Sequence, residues 1–174
     1  MKPEEISVKL QEIQDMKLEL DTDPVSVGLE VFNEKLSQLD AFTERVSELH
    51  QEALAYKGIA EVADIEADSA YEQAYAAKLA TTKTLQDMKS TDLRRAHLDA
   101  ELCELVSRKT TAAKELALAN IYLRRIQQKS KYLDGKTKRL YTQLDVVKQL
   151  LKLDPQAREN FLEPQIGKRD VILK

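Results

Sequence analysis

Residues 98–151 read LDAELCELVSRKTTAAKELALANIYLRRIQQKSKYLDGKTKRLYTQLDVVKQLL, and this stretch decides the fold. Steps that alternate four and three residues from Leu98 to Leu151 meet sixteen positions, of which thirteen are apolar. A repeat that averages about 3.5 residues over this length predicts a helix packed along a second helix. The positions that interrupt the apolar seam are Lys109, Ser130 and Thr137.

A second seam with heptad spacing precedes this stretch, from Phe42 to Thr84, and its later half is almost purely alanine. Alanine is too small to fill the usual space between helices, so this face should lie close to a helix with larger side chains. Gly58 is expected to weaken the earlier helix locally by about 1 kcal/mol, and Asp134-Gly135 should interrupt the later helix weakly.

The two seams meet at a turn predicted near residues 86–92. Ser90 or Thr91 can cap the helix that follows, because a short hydroxyl side chain satisfies a free backbone N–H there. Folding back at this turn brings Ala77 near position 101, which places alanine against a leucine-rich segment. The sequence therefore predicts an all-α fold, an extended antiparallel helical hairpin that resembles a coiled coil.

Three segments follow from this interpretation. Residues 1–25 should form a short N-terminal helix that ends at a turn with Pro24 and packs near the open end of the hairpin. Residues 26–154 should form the hairpin itself. Residues 155–174 lack a helical period and are expected to form an extended or disordered tail.

The charge is unevenly distributed along the chain, although the net charge is only −3. Residues 1–88 contain 8 Lys and Arg against 19 Asp and Glu, whereas residues 89–140 contain 13 against 6. Aromatic residues make up 5% of the chain and charged residues 33%, so a hairpin that buries one stripe per helix fits better than a large core. The distribution predicts an acidic helix beside a basic one.

The sequence contains no motif for catalysis, cofactor binding or metal binding, and we expect a protein that is not an enzyme. His50 and His97 have no neighbours at metal-ligand spacing, and Gly135-Lys136-Thr137 lacks the earlier glycine of a phosphate-binding loop. The single cysteine, Cys103, cannot form an intramolecular disulfide. Because no signal peptide and no long apolar run is found, we expect no membrane contact and a cytoplasmic location.

The most informative cluster for function is residues 124–139, in which seven of sixteen residues are basic and one is acidic. Helical spacing places five of these residues on one face, namely Arg125, Lys129, Tyr132, Lys136 and Arg139. Such a cationic stripe suits a nucleic-acid backbone, and Tyr132 is a candidate for stacking on an unpaired base. The candidate phosphate-binding residues are Arg124, Arg125, Lys129, Lys131, Lys136, Lys138 and Arg139, with Lys89, Arg94 and Arg95 as a second patch near the turn.

An alternative for the basic stripe is pairing within the hairpin. The predicted register places residues 124–139 opposite residues 37–52, which are acidic. Exposed ion pairs of this kind contribute about 0–1 kcal/mol each. The sequence leaves nucleic-acid binding and internal pairing both open. The acidic residues are Asp40, Glu44, Glu48 and Glu52.

The layout resembles phage recombination mediators of the UvsY-like family. The similar features are an acidic, alanine-rich helix with Tyr56, Tyr71 and Tyr75, the junction Lys89-Ser90-Thr91-Asp92, and a charged helix that ends in Leu140–Leu153. The resemblance implies a small helical protein that binds single-stranded DNA, assembles into rings and helps to load a RecA-type recombinase.

Self-association is also expected from the hairpin, because two helices alone leave Val106 and Ile121 outside the seam. The function that we expect is a non-enzymatic, homo-oligomeric single-strand-binding or recombination-mediating protein, with a recombinase or another protein as its partner. The alternative is a structural coiled-coil adaptor that binds a protein and no nucleic acid. A helical holdase is a third hypothesis.

Overall fold

The structure is a computed structural model that describes residues 3–20 and 28–153. Within these residues all regular secondary structure is helical, which confirms the all-α prediction. The predicted segment boundaries, between residues 25 and 26 and between residues 154 and 155, lie outside the described residues, as do Pro24 and the predicted tail. The helices are α1 (Pro3–Asp15), α2 (Gly28–Thr81), α3 (Lys83–Gln86), α4 (Thr91–Glu101) and α5 (Cys103–Leu153).

The chain divides into two compact units, and α2 and α5 each contribute residues to both. Among the described residues, unit 1 contains residues 3–6 and 51–124, and unit 2 contains residues 7–20, 28–50 and 125–153. Each unit has its own core, and the two are described in turn.

In unit 1 the later part of α2 packs in antiparallel orientation against α4 and the start of α5. The Lys78 ammonium forms an ion pair of 3.0 Å with Glu101, and the Lys109 ammonium pairs with Asp68. As the residue number falls along α2 it rises along the partner, which confirms the predicted orientation and the register of Ala77 near position 101. The helix pair is therefore a hairpin, as the seams predicted.

Tyrosine side chains occupy space that the alanine-rich seam leaves in unit 1. Tyr56, Tyr71 and Tyr122 are buried together with Ala60 and Ala67. The Tyr71 hydroxyl donates a hydrogen bond of 2.5 Å to the carboxylate of Asp99. Burial and this hydrogen bond raise the pKa of the Tyr71 phenol. The small residues thus lie beside large aromatic ones within the same interface.

The turn of the hairpin lies where the sequence placed it. The Ser90 hydroxyl accepts a hydrogen bond of 3.3 Å from the backbone N–H of Leu93, so Ser90 is the N-cap of α4. Leu85, in the short helix α3, is fully buried and ties the turn to the core of unit 1. Asp92 lies in the first turn of α4, where a negative charge favours the helix dipole.

The helical region after the turn is broken at one position that the sequence did not predict. It is continuous at the position where the sequence predicted an interruption. Leu102 separates α4 from α5 with a backbone conformation outside the helical region. The interruption predicted at Asp134-Gly135 is wrong, because α5 continues through both residues. Leu133 and Leu140 are buried on either side, and their packing outweighs the cost of one glycine, about 1 kcal/mol.

Replacing Gly58 by Ala should raise the free energy of unfolding by about 0.5–1 kcal/mol, because alanine loses less backbone entropy on folding. A Cβ atom added at Gly58 meets no heavy atom within 4 Å. Urea denaturation followed by circular dichroism measures the change. Gly135 has the same open surroundings within α5 and should respond in the same way. A lower midpoint for either variant would contradict the prediction.

Unit 2 packs the early part of α2 against the later part of α5. The buried positions of α5 recur every seven residues, as the seam predicted. The equivalent positions on α2 include Leu39 and Val46. Burial of these side chains provides the main stabilisation of the helix pair. The buried seam residues of α5 in this unit are Ile126, Leu133, Leu140 and Val147.

The N-terminal helix α1 ends at Asp15, well before the turn with Pro24 at which the sequence predicted the end of the first helix. Residues 16–20 continue without regular structure, and within them Met16 and Leu18 are buried. Burial of these two side chains, with a hydrogen-bonding partner for the Leu18 backbone on α5, favours a non-helical path after Asp15.

A bidentate ion pair docks α1 on α2. The Arg45 guanidinium reaches both carboxylate oxygens of Glu12, at 2.5 and 3.0 Å. Hydrogen bonding to Arg45 lowers the pKa of Glu12 below its ordinary value. A lowered pKa means that the pair stabilises unit 2 at neutral pH and that this contribution is lost as the pH falls through the pKa of Glu12 in the folded protein.

Candidate nucleic-acid interface

The basic segment 124–139 lies entirely within α5, and the helix distributes its cations over two sides. Arg125, Lys129 and Tyr132 line a cleft beside α1. Lys131 instead lines a groove between α2 and α5 of unit 2. Lys138 follows Lys131 by seven residues and continues on the groove side. The stripe predicted from helical spacing therefore lies partly against α1, whereas Lys131 and Lys138 lie on another side of the helix.

Tyr132 has partners within the fold for both its ring and its hydroxyl. The Lys129 and Lys136 ammonium groups lie 4.8 and 5.3 Å from the ring centroid. The hydroxyl accepts a hydrogen bond of 3.3 Å from the N–H of Leu18 and donates one of 3.2 Å to the carbonyl of the same residue. These contacts favour a structural role for Tyr132, and its role in base stacking stays a prediction.

Lys129 is one of the two lysines that lie over the Tyr132 ring. Burial lowers the pKa of its ammonium, and the nearby charge of Lys17 acts in the same direction. Electrostatic attraction to Tyr132 and to the carboxylate of Asp15 opposes this lowering of the pKa. Two lysines of the predicted stripe thus cover a tyrosine that holds the segment after α1.

Replacing Tyr132 by Phe should lower the free energy of unfolding by about 1 kcal/mol, because the ring stays but the partly buried N–H and carbonyl of Leu18 lose their partner. Urea denaturation measures this change. The matched control is Tyr141→Phe, since the Tyr141 hydroxyl makes no hydrogen bond within the described part of the chain and its loss should change stability by less than about 0.5 kcal/mol. Equal losses would contradict the structural role.

A groove with a volume of about 760 Å³ lies between α2 and α5 of unit 2. Its floor is apolar, formed by Val46, Ile126 and Leu133. Hydroxyl, amide, imidazole and charged groups surround this floor. The polar lining residues are Thr43, Ser47, His50, Gln127, Ser130, Lys131 and Asp134.

Five cations of the segment are exposed, and none of them forms an ion pair with a carboxylate of residues 3–20 or 28–153. Across the hairpin, Glu48 pairs with Arg45 of its own helix instead. The internal pairing that the sequence left open is therefore not formed between these side chains in the described structure. The five are Arg124, Arg125, Lys131, Lys138 and Arg139.

The second predicted patch, near the turn, belongs to unit 1. The Arg94 guanidinium donates a hydrogen bond of 2.5 Å to the carbonyl of Met88 and so holds the turn. Lys89 and Arg95 are exposed. The patch thus consists of one structural arginine and two accessible cations, and its binding role stays a prediction.

Tyr141 is an exposed aromatic residue that sequence reasoning missed. Its side chain is 57% exposed and lies seven residues after Asp134, which lines the groove. It also lies three residues after Lys138, so the two side chains are neighbours on the helix surface. The signal was present in the spacing of Gln127, Asp134 and Tyr141, but Tyr141 lies just beyond the basic cluster.

Other classes of site find no support in the described residues. No group of three or more possible metal ligands occurs in residues 3–20 and 28–153. None of the helices in these ranges has the length and hydropathy needed to cross a membrane. Comparison of the chain with models of protein families, with curated proteins and with solved structures finds no match.

Proposed function

We propose that the protein is a non-enzymatic single-stranded-DNA-binding protein that uses the cationic surface of α5. The observation that carries the proposal is the set of five exposed basic side chains without carboxylate partners among the described residues. The chain as a whole has more acidic than basic residues, so it contains enough carboxylates to pair with every cation. Exposed cations that no described carboxylate neutralises favour a polyanion, because its bound counterions are released on binding.

The groove supports a preference for single strands over duplexes. Its hydroxyl, amide and imidazole groups lie next to Lys131, so a strand held by its phosphates can turn its bases toward hydrogen-bonding side chains. In a duplex the bases are paired and stacked inside, and only the phosphates remain accessible. Binding of single strands by a positive groove together with base contacts is a general mechanism of sequence-tolerant recognition.

The resemblance to UvsY-like mediators extends the proposal to self-assembly and to loading of a recombinase. Both need exposed surface for protein contacts. On α2 in unit 1, Ile59, Val62 and Ile65 are each more than half exposed. Ile121, which the sequence placed outside the seam, is also exposed on α5. Apolar side chains grouped in this way suit contacts with a second protein chain.

The same surface supports the second candidate function, a coiled-coil adaptor that binds a protein partner and no nucleic acid. Ile59, Val62 and Ile65 recur every three residues, so they lie along one side of α2. Acidic residues such as Glu61 and Glu66 accompany them. An adaptor needs this face but does not need exposed cations on α5 that lack carboxylate partners among the described residues, and this feature separates the two functions.

The test is fluorescence anisotropy of a labelled single-stranded oligonucleotide over a salt series, with the duplex measured beside it. We expect micromolar or tighter affinity for the single strand, weaker binding of the duplex and a steep decrease of affinity with salt. Absence of binding at low salt would overturn the proposal and favour the adaptor. Light scattering on the same samples would detect self-assembly, and a monomer would overturn the ring-forming extension.

A further inference from the structure

The groove of unit 2 and Tyr141 together form a surface that nucleotide bases fit. We infer that the bases of a bound single strand lie in the groove between α2 and α5, that one base stacks on Tyr141, and that Lys131 and Lys138 hold the adjacent phosphates. This inference rests on the proposed function and assigns the base contacts within it.

The arrangement of α5 supplies two neighbouring rows of side chains. Lys131 and Lys138 form one row, and Asp134 and Tyr141 form the other, each with a spacing of seven residues. Seven residues span about 10.5 Å of helix, so the two rows run side by side for two turns. When a strand runs along these rows, its phosphates contact the lysines and its bases face the groove.

The charge within the groove separates phosphates from bases. Asp134 is the single acidic residue in 124–139, and it lines the groove. A carboxylate at this place repels a phosphate, whereas the adjacent Lys131 attracts one. The backbone of the strand is therefore favoured on the lysine row and disfavoured in the groove, where uncharged bases are accepted.

The lining of the groove matches the chemistry of a base. Val46, Ile126 and Leu133 close the bottom of the groove and are themselves buried, so a base in the groove meets the side chains around them. The hydroxyl, amide and imidazole groups of the groove offer both hydrogen-bond donors and acceptors to the edges of bases. This mixed set does not select one particular base. The volume of about 760 Å³ lies within the range of roughly 300–1,000 Å³ that is common for ligand sites.

Tyr141 is better placed for stacking than Tyr132. Both rings are partly exposed, but Lys129 and Lys136 cover the ring of Tyr132 and its hydroxyl is bound to Leu18. The hydroxyl of Tyr141 makes no hydrogen bond within the described residues, and 57% of the side chain is exposed. A base can reach Tyr141 without displacing another contact of the fold.

The experiment compares a thymidine oligonucleotide with an abasic strand of equal length, which keeps the phosphates and lacks the bases. The protein should bind the abasic strand at least about fivefold more weakly, since stacking of one base has an effect of this size or larger. Tyr141→Ala should weaken binding of the thymidine strand by at least about fivefold and leave the abasic strand unchanged. Tyr141→Phe, which keeps the ring, should recover binding of the thymidine strand.

A second pair of variants tests the groove itself. Ser47 and Ser37 are both exposed serines on α2 of unit 2, but only Ser47 lines the groove. Ser47→Trp should fill part of the groove and weaken binding of the thymidine strand at least about fivefold, whereas Ser37→Trp should not. Circular dichroism verifies that all variants keep the helicity of the parent protein.

The outcomes separate this inference from the proposed function. If the protein binds neither strand at low salt, the proposed function fails. If it binds both strands equally, or if Tyr141→Ala and Ser47→Trp leave binding of the thymidine strand unchanged, the base site is overturned while binding through phosphates stands.

Discussion

Reversing the charges of Lys131 and Lys138 together, as Lys131→Glu with Lys138→Glu, should weaken binding of a single strand by on the order of a hundredfold at low salt. Two phosphate contacts become repulsive, and the slope of log affinity against log salt should fall by about 1.4. Both side chains are exposed and without ion pairs in the described residues, so helicity should not change. Anisotropy titrations at several salt concentrations measure both quantities.

The matched control is a second double variant, located in unit 1, that changes the net charge of the protein by the same amount. Lys83 and Lys114 are exposed lysines of that unit, and Lys83→Glu with Lys114→Glu should reduce affinity much less. If both double variants lose affinity equally, binding depends on the overall charge of the protein and not on the groove side of α5.

Replacing Leu49 by Ala should lower the free energy of unfolding by about 2–5 kcal/mol, because the change leaves a cavity in the core of unit 2. Leu49 is 0% exposed and lies between groove residues Val46 and His50 in the chain. Chemical denaturation followed by circular dichroism measures the loss. Leu54→Ala removes the same atoms at a site that is 43% exposed and should cost distinctly less. Similar losses for the two would contradict the assignment of the core.

The seam that begins at Leu98 was sufficient to predict the hairpin and most of its core. Periodicity identifies which side of a helix is apolar, and Ile126, Leu133 and Leu140 are buried as the seven-residue spacing requires. The capping chemistry of Ser90 predicted the turn, because its hydrogen bond is local. These features depend on residues close in sequence or on one repeated pattern.

The composition of the candidate site could be predicted only in part. Sequence spacing grouped Lys129, Tyr132 and Lys136 on one face, and the structure does bring them together. The sequence spacing could not indicate that the backbone of Leu18, 114 residues before Tyr132, forms hydrogen bonds with the hydroxyl of that tyrosine. The groove likewise needs both helices in register before it exists. Tertiary neighbours decide which members of a cationic face stay accessible.

Contacts that join the helices differ widely in their separation along the chain, and this has a consequence for folding kinetics. Lys78 and Glu101 are 23 residues apart, whereas Leu18 and Tyr132 are 114 apart. Closing the longer loop costs about 1.4 kcal/mol more in entropy when it is closed first. Folding that starts at the turn near Ser90 and proceeds outward avoids this cost. Unit 2 then forms last, and a chain emerging from the ribosome acquires the groove only after residue 134 has been synthesised.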